Sequence, residues 1–95
     1  MGLDQVIREY RRLAIVHGGS PNIPKANRAY KKLERLTRKL FEAGPDSARV
    51  IMTLLDDENI FVRFNAAFDT LSLDPDVAVP VLRELAAWPA GRNSV

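Results

Sequence analysis

The sequence predicts an all-α fold of five helices, and three observations carry that reading. Apolar residues recur at intervals of three and four in five separate segments. No segment alternates apolar and polar residues over a strand's length. Glycine, proline, aspartate and asparagine stand between the segments, where breakers and caps belong. The helices are expected over about residues 3–17, 25–43, 47–56, 60–71 and 75–88. Together they make one domain over 1–88, with a flexible tail over 89–95.

The first helix is defined by Leu3, Val6, Ile7, Tyr10, Leu13 and Ala14 on one face, with Arg8, Arg11 and Arg12 on the other. It stops at "HGGSPNIP". In the second helix Pro24 suits the first turn, where a missing N–H costs nothing. Ala26, Ala29, Tyr30, Leu33, Leu36, Leu40 and Phe41 fill its apolar side. Gly44 is its expected left-handed C-cap, with Pro45 just beyond. Asp46 or Ser47 is placed to cap the third helix, whose stripe is Val50, Ile51, Leu54 and Leu55.

Asn59 is the expected N-cap of the fourth helix, its oxygen aimed at a free N–H near Val62. Phe61, Phe64, Phe68 and Leu71 follow at helical spacing, flanked by Val62, Ala66 and Ala67. Leu55 and Phe68 are expected among the buried residues, so truncating either to alanine should cost about 2–5 kcal/mol. Asp74 and Pro75 read as N-cap and first residue of the fifth helix, which Pro89 is expected to stop. Its buried stripe is Ala78, Val81, Leu82 and Leu85, leaving Val79, Ala86 and Ala87 to one side. Trp88 at its end reads as a core plug or an interface anchor.

Composition is ordinary for a globular domain, 46% apolar and 27% charged. The absence of cysteine removes disulfides, thiolate catalysis and most structural zinc sites, and fits a reducing cytosol. The longest nearly apolar run, "VAVPVL", is far short of the roughly 20 residues of a membrane span. The N-terminus reaches charged residues too soon for a signal-peptide core. No membrane association and a cytoplasmic location are therefore expected.

Net charge is +2, but its distribution is uneven. Residues 1–43 carry a net +6 and residues 44–95 a net −4. The basic excess concentrates on the second helix. Lys25, Arg28, Lys31, Lys32, Arg35, Arg38 and Lys39 fall within an arc of roughly 140° opposite the apolar side. They are the candidate partner-binding residues. An acidic protein surface or phosphates would neutralise them; a solvated face is the plain alternative. No aromatic residue interleaves with the arc, which disfavours single-strand stacking.

No catalytic constellation, cofactor site or metal site is expected. His17 is the sole histidine and ends the first helix, where the dipole favours its protonated form. "DDE" at 56–58 lacks the oxygen-rich loop that a hard cation needs. "HGGSPN" lacks the lysine and the preceding strand of a phosphate loop. Asp57, between the third and fourth helices, is expected to accept backbone N–H bonds and to meet Arg63.

"LLDDENIFVRFNAAFDTL" followed by "LDPDVAVPVLREL" resembles a HEAT repeat. The matching residues are Leu54, Leu55, Asp57, Val62, Arg63, Ala66, Ala67, Asp74, Pro75, Val79, Pro80 and Leu82. Thr70 departs from the pattern, which prefers leucine there, and Phe64 and Phe68 are bulkier than its usual residues. The whole chain, including "KANRAYKKL", also resembles a short bacterial HEAT-like family known as a domain of unknown function. The resemblance implies a HEAT-like helical repeat, a short α-solenoid of two antiparallel helix pairs with the first helix as an N-terminal cap.

The expected function is a non-enzymatic protein-interaction module. Its surfaces would be the basic arc and the apolar fifth helix, its partner an acidic protein, with a homodimer through the fifth helix as the other arrangement. The alternatives are nucleic-acid binding through the first two helices and a toxin-neutralising (immunity) role.

Overall fold

A computed structural model describes residues 2–93, and the side chains of residues 2–87. The helices are α1 (Leu3–Gly19), α2 (Ile23–Glu42), α3 (Pro45–Ala48), α4 (Ile60–Thr70) and α5 (Pro75–Asn93). No strand occurs among the described residues. The structure redraws the third helix and the end of the fifth. The third helix is a single α-turn that tightens into a 3-10 segment over Arg49–Leu54, rather than an α-helix over 47–56. No side chain caps it, so neither Asp46 nor Ser47 supplies the expected bond. α5 runs through Pro89 to Asn93 instead of stopping at 88. A proline removes one helical hydrogen bond but keeps φ at a helical value, so it need not end the spiral. Residues 94 and 95 of the expected tail, and the role expected of the Trp88 side chain, lie outside the described residues.

The caps explain most of the other ends. Asn22 accepts from the Lys25 N–H at 3.0 Å and starts α2, with Pro24 in its first turn. Asn59 accepts from the N–H groups of Phe61 and Val62, at 2.9 and 3.2 Å, and starts α4. Gly44 follows α2 with φ 117° and ψ 170°, an extended left-handed conformation open essentially to glycine alone. α1 extends two residues beyond its expected end because Gly18 and Gly19 are helical. The Phe61 side chain lies against them: a Cβ added to Gly18 would fall 2.7 Å from Phe61 Cγ. The glycines therefore let α4 approach α1.

α1 is the central rod. It packs on α2, on α4 and on the 3-10 segment, while α5 packs on α4. The helix pairs are thus α1 with α2 and α4 with α5, and the expected end-cap role of the first helix does not hold. Tyr10, Leu13 and Ala14 of α1 are almost fully buried, with Leu33, Ile51, Val62 and Ala66 in the same core. A cap would leave one flank of α1 wet; here it has neighbours on both.

Two polar ties join the pairs. Arg11 donates from Nε and Nη2 to the two carboxylate oxygens of Asp57, at 2.7 and 3.1 Å. Asp57 also accepts the Asn59 N–H at 2.9 Å. Arg63, the partner expected for Asp57, instead reaches Glu84 of α5 at 2.9 Å and the Leu55 carbonyl. Second, the Tyr10 hydroxyl donates to Asp69 Oδ2 at 2.7 Å, and Thr37 Oγ1 donates to the same oxygen at 3.4 Å. α1, α2 and α4 meet at that one carboxylate.

α4 is the element on which the sequence misleads. Its inward face is Val62, Ala66, Ala67 and Thr70, all essentially inaccessible to solvent. Thr70 satisfies its hydroxyl on the Ala66 carbonyl at 2.6 Å. Phe64 and Phe68 are 51% and 61% exposed, so the expectation that Phe68 is core is overturned. Three elements crowd α4, and only small side chains fit the distances they leave.

Two outcomes follow for urea denaturation. Leu33→Ala loses about 2–5 kcal/mol, whereas Phe68→Ala stays within about 0.5 kcal/mol of the parent chain. The Asp57 carboxyl is held below its ordinary value of 3.8, chiefly by its hydrogen bonds from Arg11. A depressed carboxyl adds stability above the unfolded value and loses it as pH falls through the folded one. Arg11→Met therefore flattens the acid limb of the stability curve below about pH 4.

Candidate functional site

All seven cations proposed from the sequence are exposed on α2: Lys25, Arg28, Lys31, Lys32, Arg35, Arg38 and Lys39. Their spread follows from the burial of Ala29, Leu33 and Leu40 on the opposite side. Arg38 lies 3.6 Å from Glu34. The other six make no ion pair among the described residues. The arc has two flanks. Lys32, Arg35 and Lys39 border a depression against α1, lined also by Val6, Leu13, Leu36 and Leu40. Arg38 borders a different groove, which faces α4.

That second groove was not foreseen from the sequence. It has a volume of about 530 Å³ and runs between α2 and α4. Tyr30, Leu33, Thr37 and Phe41 form one wall, and Asn65, Phe68 and Asp69 the other. Tyr30 is 47% exposed, and its ring lies 5.0 Å from that of His17. Phe68 stacks on Phe64 at 6.5 Å between centroids. Beyond Asn65 the apolar surface continues into a smaller depression of about 350 Å³, lined by His17, Gly18, Ile60, Phe61 and Phe64. The signal available in the sequence was the second helical stripe of α4. Val62, Ala66, Ala67 and Thr70 are also spaced by three, four and five, opposite the phenylalanines. Side-chain size favours the aromatic stripe as core, while the space between helices selects the small one.

The groove carries one unusual polar group. Asp69 is half-buried among Tyr10, Thr37 and Phe68, and no cation pairs with it among the described residues. Burial raises its pKa above the ordinary 3.8, outweighing the two hydroxyl donors that lower it. The Tyr10 hydroxyl is pushed far up, first by its own burial and then by the adjacent carboxylate. The pair is thus a neutral phenol donating to a carboxylate. At the groove's rim Glu34 and Glu42 are exposed.

The remaining sequence candidates are simpler. His17 Nδ1 is shielded from solvent and has no hydrogen-bond partner. The acids at 56–58 divide: Asp57 is tied to Arg11, while Asp56 and Glu58 are exposed. No group of three or more His, Cys, Asp or Glu among the described residues could hold a metal ion. No helix among them is long and apolar enough to cross a membrane. On α5 Val77, Ala86 and Ala87 are exposed, while Ala78 and Leu85 are buried. No protein-family model, no curated protein and no solved structure matches the chain.

Asp69→Asn keeps acceptors for Tyr10 and Thr37 while removing a partly desolvated charge, so stability at neutral pH is unchanged or higher. A carboxyl with a raised pKa binds protons more readily in the folded state. Stability therefore climbs as pH falls through the raised value and levels off below the ordinary 3.8. This slope is opposite in sign to that of Asp57, and the difference between parent and Asp69→Asn denaturation curves isolates it.

Proposed function

We propose that this chain is a non-catalytic module that binds another protein through the outward face of α4 and the adjoining side of α2. One observation carries the reading: α4 turns its smallest residues inward and Phe61, Phe64 and Phe68 outward. Burying a phenylalanine contributes about 1.5–3 kcal/mol, which exposed rings forgo. Contiguous exposed aromatic surface of this kind marks an interaction site. A partner that covers these rings recovers the energy the fold leaves unused.

The HEAT-like reading of the fold belongs with this proposal. Two helix pairs stacked side by side, α1 with α2 and α4 with α5, suit a repeat whose surfaces bind and whose interior does no chemistry. A toxin-neutralising role in a bacterial cytoplasm is one instance, since it needs a surface alone. The α2 arc supplies a second contact. Its six cations without an ion pair among the described residues favour acidic groups on the partner and speed encounter with them. The same cations support nucleic-acid binding as the second reading, and the exposed side of α5 supports a homodimer.

Affinity capture followed by mass spectrometry separates these. We expect a protein held by the parent chain to be lost from Phe64→Ser/Phe68→Ser, which remains folded, and to be weakened by Arg28→Glu/Arg35→Glu. Capture unaffected by the serine pair overturns the aromatic face as the docking surface. Binding to mixed DNA and RNA that collapses with added salt, and with the arginine reversals alone, would favour nucleic acid instead.

A further inference from the structure

We infer that the groove between α2 and α4 takes an arginine side chain of a partner protein, its guanidinium against Phe68 and donating to Asp69. The inference rests on the interaction reading above and adds the chemistry of the anchor.

The first argument is the balance of hydrogen-bonding groups in the groove. Asp69 Oδ2 receives both hydroxyls, from Tyr10 and Thr37, while Oδ1 accepts nothing among the described residues. Asn65 spends its Nδ2 on the Phe61 carbonyl at 3.1 Å, and its Oδ1 receives no donor among the described residues. Glu34 and Glu42 add two carboxylates at the rim. Against these acceptors stands one cation, Arg38, drawn to Glu34. Thr37 has already committed its hydroxyl, which leaves the Tyr30 hydroxyl as a further neutral side-chain donor free in the lining among the described residues. A groove rich in acceptors and poor in donors selects a donor-rich, positively charged group.

The second argument is geometric. Asn65 and Asp69 are four residues apart on α4, so both side chains line one face of the groove, with Cβ atoms about 6 Å apart. Phe68 lies beside them in the same wall. A planar guanidinium offers several donors at its edge and a flat face for an aromatic ring. An ammonium supplies neither the fork nor the face. The partly desolvated carboxylate strengthens such a contact, because a hydrogen-bonded charge pair gains as water is excluded.

The third argument concerns the occupant. The groove opens past Asn65 into the apolar depression of Phe61 and Phe64, so one continuous surface extends well beyond a single side chain. An amphipathic protein segment, with apolar residues flanking the arginine, uses both parts. Asp69 then gains on binding the counter-charge that no described residue supplies in the free protein.

The test uses the full chain and a random peptide library displayed on phage. Selected peptides should share an arginine with apolar neighbours. Replacing that arginine by citrulline, which removes the charge at nearly constant shape, should weaken binding about tenfold or more. Asp69→Asn should weaken it similarly, without a further loss when the two changes are combined. On binding, the Asp69 carboxyl resonance should titrate at lower pH, which a purely structural carboxylate would not do. Peptides that bind the parent chain and Asp69→Asn equally, yet lose Phe64→Ser/Phe68→Ser, overturn the arginine anchor and leave the aromatic docking face standing. Peptides indifferent to every variant, or no enrichment at all, overturn both.

Discussion

The narrow seat of α4 is the constraint from which the other features follow. α1, the 3-10 segment and α5 all press on this helix, and Gly18 and Gly19 remove the side chains that would hold α1 away. Only Val62, Ala66, Ala67 and Thr70 fit the inward face. Once the small residues are committed to the interior, the phenylalanines of the same helix have nowhere to go but outward. The aromatic surface is therefore a by-product of packing geometry as much as a feature added to it. A wider seat would have swallowed the rings and erased the groove.

The carboxylate at Asp69 depends on the same arrangement. α1 contributes Tyr10 and α2 contributes Thr37, and both donors converge because α4 sits close to each. The result is a charge that is partly desolvated, doubly hydrogen-bonded and without a counter-ion among the described residues. Structural ion pairs in this chain look different. Arg11 and Asp57 meet with two matched bonds, and the carboxyl is more acidic for it. The opposite pKa directions of Asp57 and Asp69 separate a carboxylate matched by a cation from one that ties three helices through neutral hydroxyl donors.

Much of this architecture was legible in the residues. Pro24, Asn59 and Pro75 mark helix starts by their own chemistry, because a cap bond or a first-turn proline is a local matter that needs no knowledge of the fold, whereas Asn22, the cap of α2, was not read from the sequence. Gly44 announces a positive φ for the same reason. The second helix declares both its faces, since its cations and its leucines separate cleanly. What was not legible is set by distances between elements. The tight 3-10 path of residues 49–54, the partnership of Arg11 with Asp57 rather than Arg63, and the central place of α1 all depend on contacts far apart in sequence. The aromatic groove belongs to this class: α4 has two candidate interior stripes, and periodicity weighs them equally. The run of helix through Pro89 shows the converse limit, that a breaker lowers helical preference without forbidding it.

The segregation of charge has a consequence for how the molecule meets anything in solution. α2 carries its cations on one exposed arc, while the acidic excess of residues 44–95 comes from segments outside α4 and α5, each of which is neutral. A small net charge thus conceals an uneven distribution, with six cations of one helix that make no ion pair among the described residues. In the field of another macromolecule such a body experiences a torque before it experiences contact. It arrives already turned, and adding salt shortens the range over which that turning begins.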